Sequence, residues 1–152
     1  METLEHILAA HPFCSGLAPE RLRLLYGCAR NCRFDAGQCL HRACEGADKF
    51  FLIRHGRVAL EIAEPGGTPF MFATLEEGEI VFAGEPMSPC SWLFDARAIE
   101  PTQAISIDTA CLRGKCERDY RLGYEMMSRF LPILAKRLHA ARLQLLDVYG
   151  KR

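Results

Sequence analysis

The side chains able to do chemistry in this chain are eight cysteines, five histidines and a single tryptophan, and their spacing decides what that chemistry is. A structural zinc ion takes its tetrahedral ligands from closely spaced Cys or His pairs. The spacings Cys28-x3-Cys32, His41-x2-Cys44 and Cys111-x4-Cys116 do not build that paired pattern. Buried free cysteine behaves as a small hydrophobe, so the thiols are expected to be reduced and structural, with a redox or metal role as the alternative. His6, His11, His41, His55 and His139 lack the His-x3-His spacing that places two imidazoles on one helix face, and they read as surface or turn residues. No Gly-x-Ser-x-Gly elbow, glycine-rich phosphate loop or carboxylate pair stands where it could act. The chain is therefore expected not to be an enzyme, to hold no metal and to carry no resident cofactor.

Elements that could position a binding site are easier to read. At 152 residues, 49% hydrophobic and 25% charged, the chain suits one globular domain. No run approaches the roughly 18 apolar residues of a membrane span, and the acidic start METLEHILAAHPF is unlike a secretory signal, which points to a cytoplasmic protein. The zero net charge hides an asymmetry: residues 113–152 carry ten basic and four acidic side chains, while residues 1–112 carry nine and fifteen. With no recognition motif beside them, the basic residues read as a solvated helix face.

Three regions follow from periodicity. Over 1–30, Leu4, Ile7 and Leu8 share a helix face that Pro12 closes, and Pro19 opens a second helix behind Ala18, a poor cap. Over 31–108 the texture becomes short apolar runs broken by Gly, Pro and Asp. Phe50–Ile53, the alternating Val58, Leu60 and Ile62, Phe70–Ala73, Ala96 with Ala98, and Ile105 with Ile107 read as strands, six to eight in all. Over 109–150 the period is helical. A short helix at Thr109–Glu117 precedes a long one from Tyr120 to Tyr149, whose stripe runs through Leu122, Met126, Phe130, Leu134, Leu138, Ala141, Leu145 and Val148. That helix would be about 40 Å long, more than a small β unit covers, so part of its stripe is expected to pack on a second copy, making a homodimer. Pro132 is expected to kink or divide it.

Two stretches carry a resemblance. Phe34-Asp35-Ala36-Gly37-Gln38-Cys39-Leu40, then Glu45-Gly46-Ala47-Asp48-Lys49-Phe50-Phe51-Leu52-Ile53-Arg54-His55-Gly56-Arg57-Val58-Ala59-Leu60, resemble the opening of the cyclic-nucleotide-binding domain family, which includes bacterial catabolite-activator type regulators. The likeness continues through Leu75–Glu79 and Asp95–Pro101 to the terminal helices. It implies a mainly β fold with flanking α-helices: a double-stranded β-helix, the jelly-roll-like β-roll of that family, with a long C-terminal helix. One departure is Cys44, which stands where the family has Gly in a turn, so that turn is expected to be rebuilt.

The resemblance also implies a phosphate cassette, in which a short helix opens with Gly-Glu for the ribose and an Arg followed by a small residue neutralises the cyclic phosphate. Helix N-terminal amides and a guanidinium fork together hold such an anion. Counted from Gly78-Glu79 the Gly-Glu falls on Phe82-Ala83, and counted back from Arg97-Ala98 the Arg-small pair falls on Trp92-Leu93. Both pairs are replaced. Gly84-Glu85 follows two residues late, ahead of the stiffening Pro86 and Pro89, and is a shifted candidate for the ribose contact. Arg97, next to Asp95 on a returning strand, could substitute for the missing guanidinium only by facing inward. The purine-capping turn falls at Ala141-Arg142, where Arg142 could stack or pair.

Losing the phosphate's charged partner forfeits a strong hydrogen bond, so ordinary cyclic AMP or cyclic GMP recognition is not expected. Phe82, Trp92, Leu93 and Phe94 either line a pocket for a planar or hydrophobic ligand or fill the old pocket themselves. The expectation is a stand-alone regulatory or sensor domain that does not read DNA sequence, since no DNA-binding domain follows the long helix. A protein-interaction scaffold and a thiol redox switch are the alternatives. The ligand, a cyclic nucleotide or another small molecule, and the protein partner are left open.

Overall fold

The computed structural model describes residues 2–83 and 91–150. Two four-stranded antiparallel sheets face each other, with the order β1-β8-β3-β6 in one and β2-β7-β4-β5 in the other. The strands are β1 (Ala29–Phe34), β2 (Cys39–His41), β3 (Lys49–His55), β4 (Arg57–Ile62), β5 (Phe70–Glu76), β6 (Ile80–Val81), β7 (Asp95–Ala98) and β8 (Thr102–Asp108). Helices α1 (Leu4–Ala10) and α2 (Pro19–Tyr26), with a short 3-10 turn at Pro12–Cys14 between them, precede this roll, and α3 (Thr109–Arg118) and α4 (Tyr120–Tyr149) follow it. No helix among the described residues is long and apolar enough to cross a membrane.

Strand alternation splits the core into two layers. Along β3, Phe50 and Leu52 face the helices, where they join Leu8, Phe13, Leu25, Phe82, Met126 and Phe130. Phe51 and Ile53 face the roll interior with Val58, Leu60, Leu75, Trp92, Ala96 and Ala104. At the β3–β4 turn Gly56 takes φ +104°, and a Cβ there would lie 2.5 Å from Thr102 Oγ1, so only glycine fits. The turn at Cys44 is not rebuilt as expected. Cys44 itself takes φ 72°, the left-handed geometry that glycine supplies freely, at a cost of roughly 1 kcal/mol to a residue with a Cβ.

Pro132 does not divide the last helix. α4 runs unbroken for 30 residues, with its N-terminal amides capped by Asp119 and Pro132 exposed to solvent. Leu122, Met126 and Phe130 are buried against the roll, whereas Leu131, Leu138, Leu145 and Val148 are about half exposed or more.

The thiols also depart from expectation, because Cys28 and Cys111 are joined in a disulfide across 83 residues of sequence. Antiparallel pairing of β1 with β8 sets Ala29 opposite Ile107, which brings the residue before β1 and the first turn of α3 to a Cα separation of 5.8 Å. Closing so long a loop is expected to stabilise the fold by about 2–4 kcal/mol. Dithiothreitol should therefore lower the melting temperature by roughly 5–10 °C, and Cys111→Ser should show the lower value with or without reductant. Identical melts in all four samples would show that the bond restrains nothing.

Candidate functional site

The segment entering β7 places Trp92 inside the roll, 2% exposed. Backbone bonds hold it there: Trp92 N donates to Glu45 O (2.8 Å) and Cys44 N donates to Trp92 O (2.7 Å), so the left-handed turn at Cys44 is what receives this strand. The indole stacks on the His41 imidazole with ring planes 14° apart. Phe94 meets both rings edge-on, at 5.9 and 5.7 Å, and Phe72 meets Phe94 at 5.5 Å. Four rings from β2, β5 and the approach to β7 thus form one continuous aromatic wall.

His41 is not the surface residue its sequence position suggested. It is 5% exposed, and neither ring nitrogen has a hydrogen-bond partner among the described residues. Burial pushes its pKa down to about 3, so the imidazole is neutral and serves as an aromatic plate under Trp92. His11 is buried as well. Its Nδ1 accepts from Phe13 N, capping the 3-10 turn, and its Nε2 lies 3.1 Å from Ile53 O.

A cavity of about 410 Å³ flanks the stack, walled by Phe34, Leu40, Phe51, His41 and Trp92. Its polar mouth carries Glu45 and Asp48 against Lys49, so an entering anion meets two carboxylates and one ammonium. Burial also pushes the Cys32 thiol on its wall up to about 11, well away from a reactive thiolate.

The residues expected to line a single pocket are distributed among several places. Phe82 belongs to the helix-side core, 5.3 Å from Phe130 and beneath the Arg137 guanidinium. Ala83 packs on the roll interior with Trp92. Leu93 is 79% exposed, because the chain turns outward there between two inward rings. Arg97 does not face inward. With Ala96 and Ala98 buried on the inner side of β7, its guanidinium stands on the outer side and pairs with Glu61 Oε1 at 2.7 Å. Asp95 Oδ1 accepts from Ala43 N, tying β7 to the turn after β2. Arg142 lies on the exposed part of α4. Gly84 and Glu85, with Pro86 and Pro89, lie outside the described residues.

Sequence reasoning missed two side chains that shape these surfaces. His41 had one signal, its place on the alternating run Cys39-Leu40-His41 of a strand. Arg137 was counted with the solvated basic face, yet it is half-buried, with its guanidinium donating to Ile80 O and lying 4.7 Å from the Phe82 ring centroid. Burial pulls its pKa below the usual arginine value, partly offset by Glu79. Arg129 is likewise not free: it donates to Phe13 O and Ser15 O and pairs with Glu125 at 2.6 Å.

Comparison with known proteins now has a geometry to be set against. Residues 31–119 match the model of a family described as the cyclic nucleotide-binding domain. Among solved structures the chain is similar to a cyclic nucleotide-binding domain from Methylobacillus flagellatus (16% identity, 94% of this chain and 83% of that one, TM-score 0.81). It is also similar to a putative cyclic nucleotide-binding protein from Geobacter metallireducens (22%, 91% and 100%, TM-score 0.78) and to the catabolite activator protein of Thermus thermophilus (22%, 91% and 63%, TM-score 0.69). At these identities the likeness establishes the fold, and no curated protein sequence matches the chain.

Proposed function

The chain belongs to the cyclic nucleotide-binding domain family, and from that premise we propose that it is a regulatory domain, acting by binding and not by catalysis, whose seat for a cyclic phosphate has been given over to its own aromatic side chains. One observation carries this reading: Trp92, which by count from Arg97-Ala98 falls where the resemblance implies the phosphate arginine, is buried and stacked on His41. A cyclic phosphate at that place would lack its cationic partner and would have to displace a packed indole, and Arg97 is committed to Glu61 on the outer side of the strand. The acidic balance at the mouth of the adjoining cavity works in the same direction.

The domain is read as a cytoplasmic module that pairs with a second copy through α4 and passes its signal to a protein partner. The half-exposed leucines of α4 support the pairing, since an apolar stripe of that length on a monomer marks an interaction surface. Calorimetric titration with cyclic AMP, cyclic GMP and cyclic dinucleotides should give no saturable heat up to about 1 mM, a binding free energy weaker than about −4 kcal/mol. Saturation with a Kd near or below about 10 µM for either mononucleotide would overturn the reading.

A further inference from the structure

With the interior closed by aromatic rings, a larger groove lies elsewhere, between α4 and the β5–β6 turn. It measures about 670 Å³, within the size range of small-molecule sites. We propose that this groove binds a small amphipathic monoanion, a carboxylate on an aliphatic or planar aromatic body, with the carboxylate at Arg137 and Lys136 and the apolar body lying along α4. The proposal goes beyond the regulatory reading above, because the site lies beneath α4, with the Trp92–His41 stack absent from its lining, and its ligand is not a nucleotide.

Charge and shape select that class. Phe13, Leu75, Ile80 and Ile133 supply an apolar bed. Of the groove's cations, Arg129 is neutralised by Glu125 and held to the backbone of the 3-10 turn, so it braces the end wall and has little left to offer a ligand. Arg137 differs. It is half-buried and makes no ion pair among the described residues, only a hydrogen bond to Ile80 O and its contact with Phe82. Glu79 acts on it electrostatically without forming a salt bridge, and a partly desolvated guanidinium that lacks a salt-bridged partner rewards an entering carboxylate. Lys136, next to it and without a hydrogen bond or ion pair among the described residues, doubles the local positive charge, and the one lining carboxylate, Glu79, is occupied by Glu76 N at 2.8 Å. Binding here would set the position of α4 against the roll, coupling the ligand to the helix that carries the exposed leucine face.

Decanoate and 2-naphthoate are the probes, titrated calorimetrically into the full chain, with 1-decanol and 2-naphthalenemethanol as uncharged counterparts. At least one acid should bind with one-site saturation, about tenfold or more tighter than its alcohol. Ala140→Trp, which fills the groove from a position outside the Leu131, Leu138 and Leu145 seam, should abolish binding. Arg137→Gln should weaken it about tenfold or more, and because that change also removes a packing contact, the exposed Lys136→Glu serves as a second charge test with the same direction of effect. Absence of saturable binding by both acids would overturn the proposal, as would equal affinity for acid and alcohol, or binding that survives Ala140→Trp unchanged. None of these outcomes bears on whether a cyclic nucleotide binds the roll, which the earlier titration measures separately.

Discussion

Replacing Trp92 by alanine is expected to destabilise the domain by about 3–5 kcal/mol, lowering its melting temperature by roughly 10 °C or more. The size follows from what the indole touches. It is 2% exposed, it covers one face of His41 and it meets Phe94 edge-on, so its removal opens a cavity beside two other aromatic rings and uncovers an imidazole with no polar partner among the described residues. Against a total stability of about 5–15 kcal/mol for a domain of this size, that is a large fraction. A change below about 1 kcal/mol, the ordinary effect of a surface substitution, would mean that Trp92 packs nothing.

The stack has a pH signature in the same unfolding measurement. His41 is held neutral in the folded state, with a pKa near 3 against an ordinary value of 6.5, so the unfolded chain takes up a proton first as pH falls. Stability is therefore complete above about pH 6.5 and declines progressively as pH drops from there toward 3. His11, also lowered by burial, adds to the same decline, so His41→Phe is needed to isolate the contribution of the stack. That variant should flatten the acid limb, and an unchanged limb would place the imidazole in contact with water.

The second large effect concerns α4. Leu131, Leu134, Leu138, Ala141, Leu145 and Val148 recur at alternating steps of three and four, the spacing of a two-helix seam. Leu134 is shared with the helix-side core, while beyond it the roll meets a different edge of the helix, where Arg137 reaches Ile80 O and Gln144 Nε2 donates to Phe72 O at 2.9 Å. Light scattering after size exclusion should give a dimer mass for the wild type. Leu138→Asp combined with Leu145→Asp should give the monomer, raising the dimer Kd by about three decades or more, since each buried leucine contributes about 1.5–3 kcal/mol and a symmetric seam loses four of them. Thermal unfolding of the variant monitors the fold, because both positions are about half exposed in the single chain. A wild-type monomer at concentrations of about 100 µM would remove the seam from the account.

These two effects also mark the limits of reading the chain residue by residue. The roll was legible because its strands are short apolar runs with glycine where the backbone needs positive φ, as at Gly56, and those are properties of neighbouring residues. The α4 stripe was legible for the same reason, through its 3.6-residue period. What escaped depends on pairing between distant segments. Cys28 and Cys111 meet only because β1 lies against β8, and no spacing rule reaches across 83 residues. His41 finds Trp92 only because the segment ahead of β7 docks on the turn at Cys44. Arg97 is a different case. The alternation of Ala96, Arg97 and Ala98 already placed the two alanines on the inner face, and the guanidinium therefore on the outer one with Glu61. Phe82 and Trp92, close in sequence to the expected cassette, part company because β6 closes the helix-facing sheet while β7 belongs to the other.

The claim on which the functional reading turns is that the phosphate seat is occupied by the chain's own indole. Trp92 is the only tryptophan, so intrinsic fluorescence reports on that one side chain. The account predicts blue-shifted emission that acrylamide quenches weakly and that cyclic AMP leaves unchanged at millimolar concentration. Solvent-like emission with strong quenching, or a saturable change on adding cyclic AMP, would contradict it.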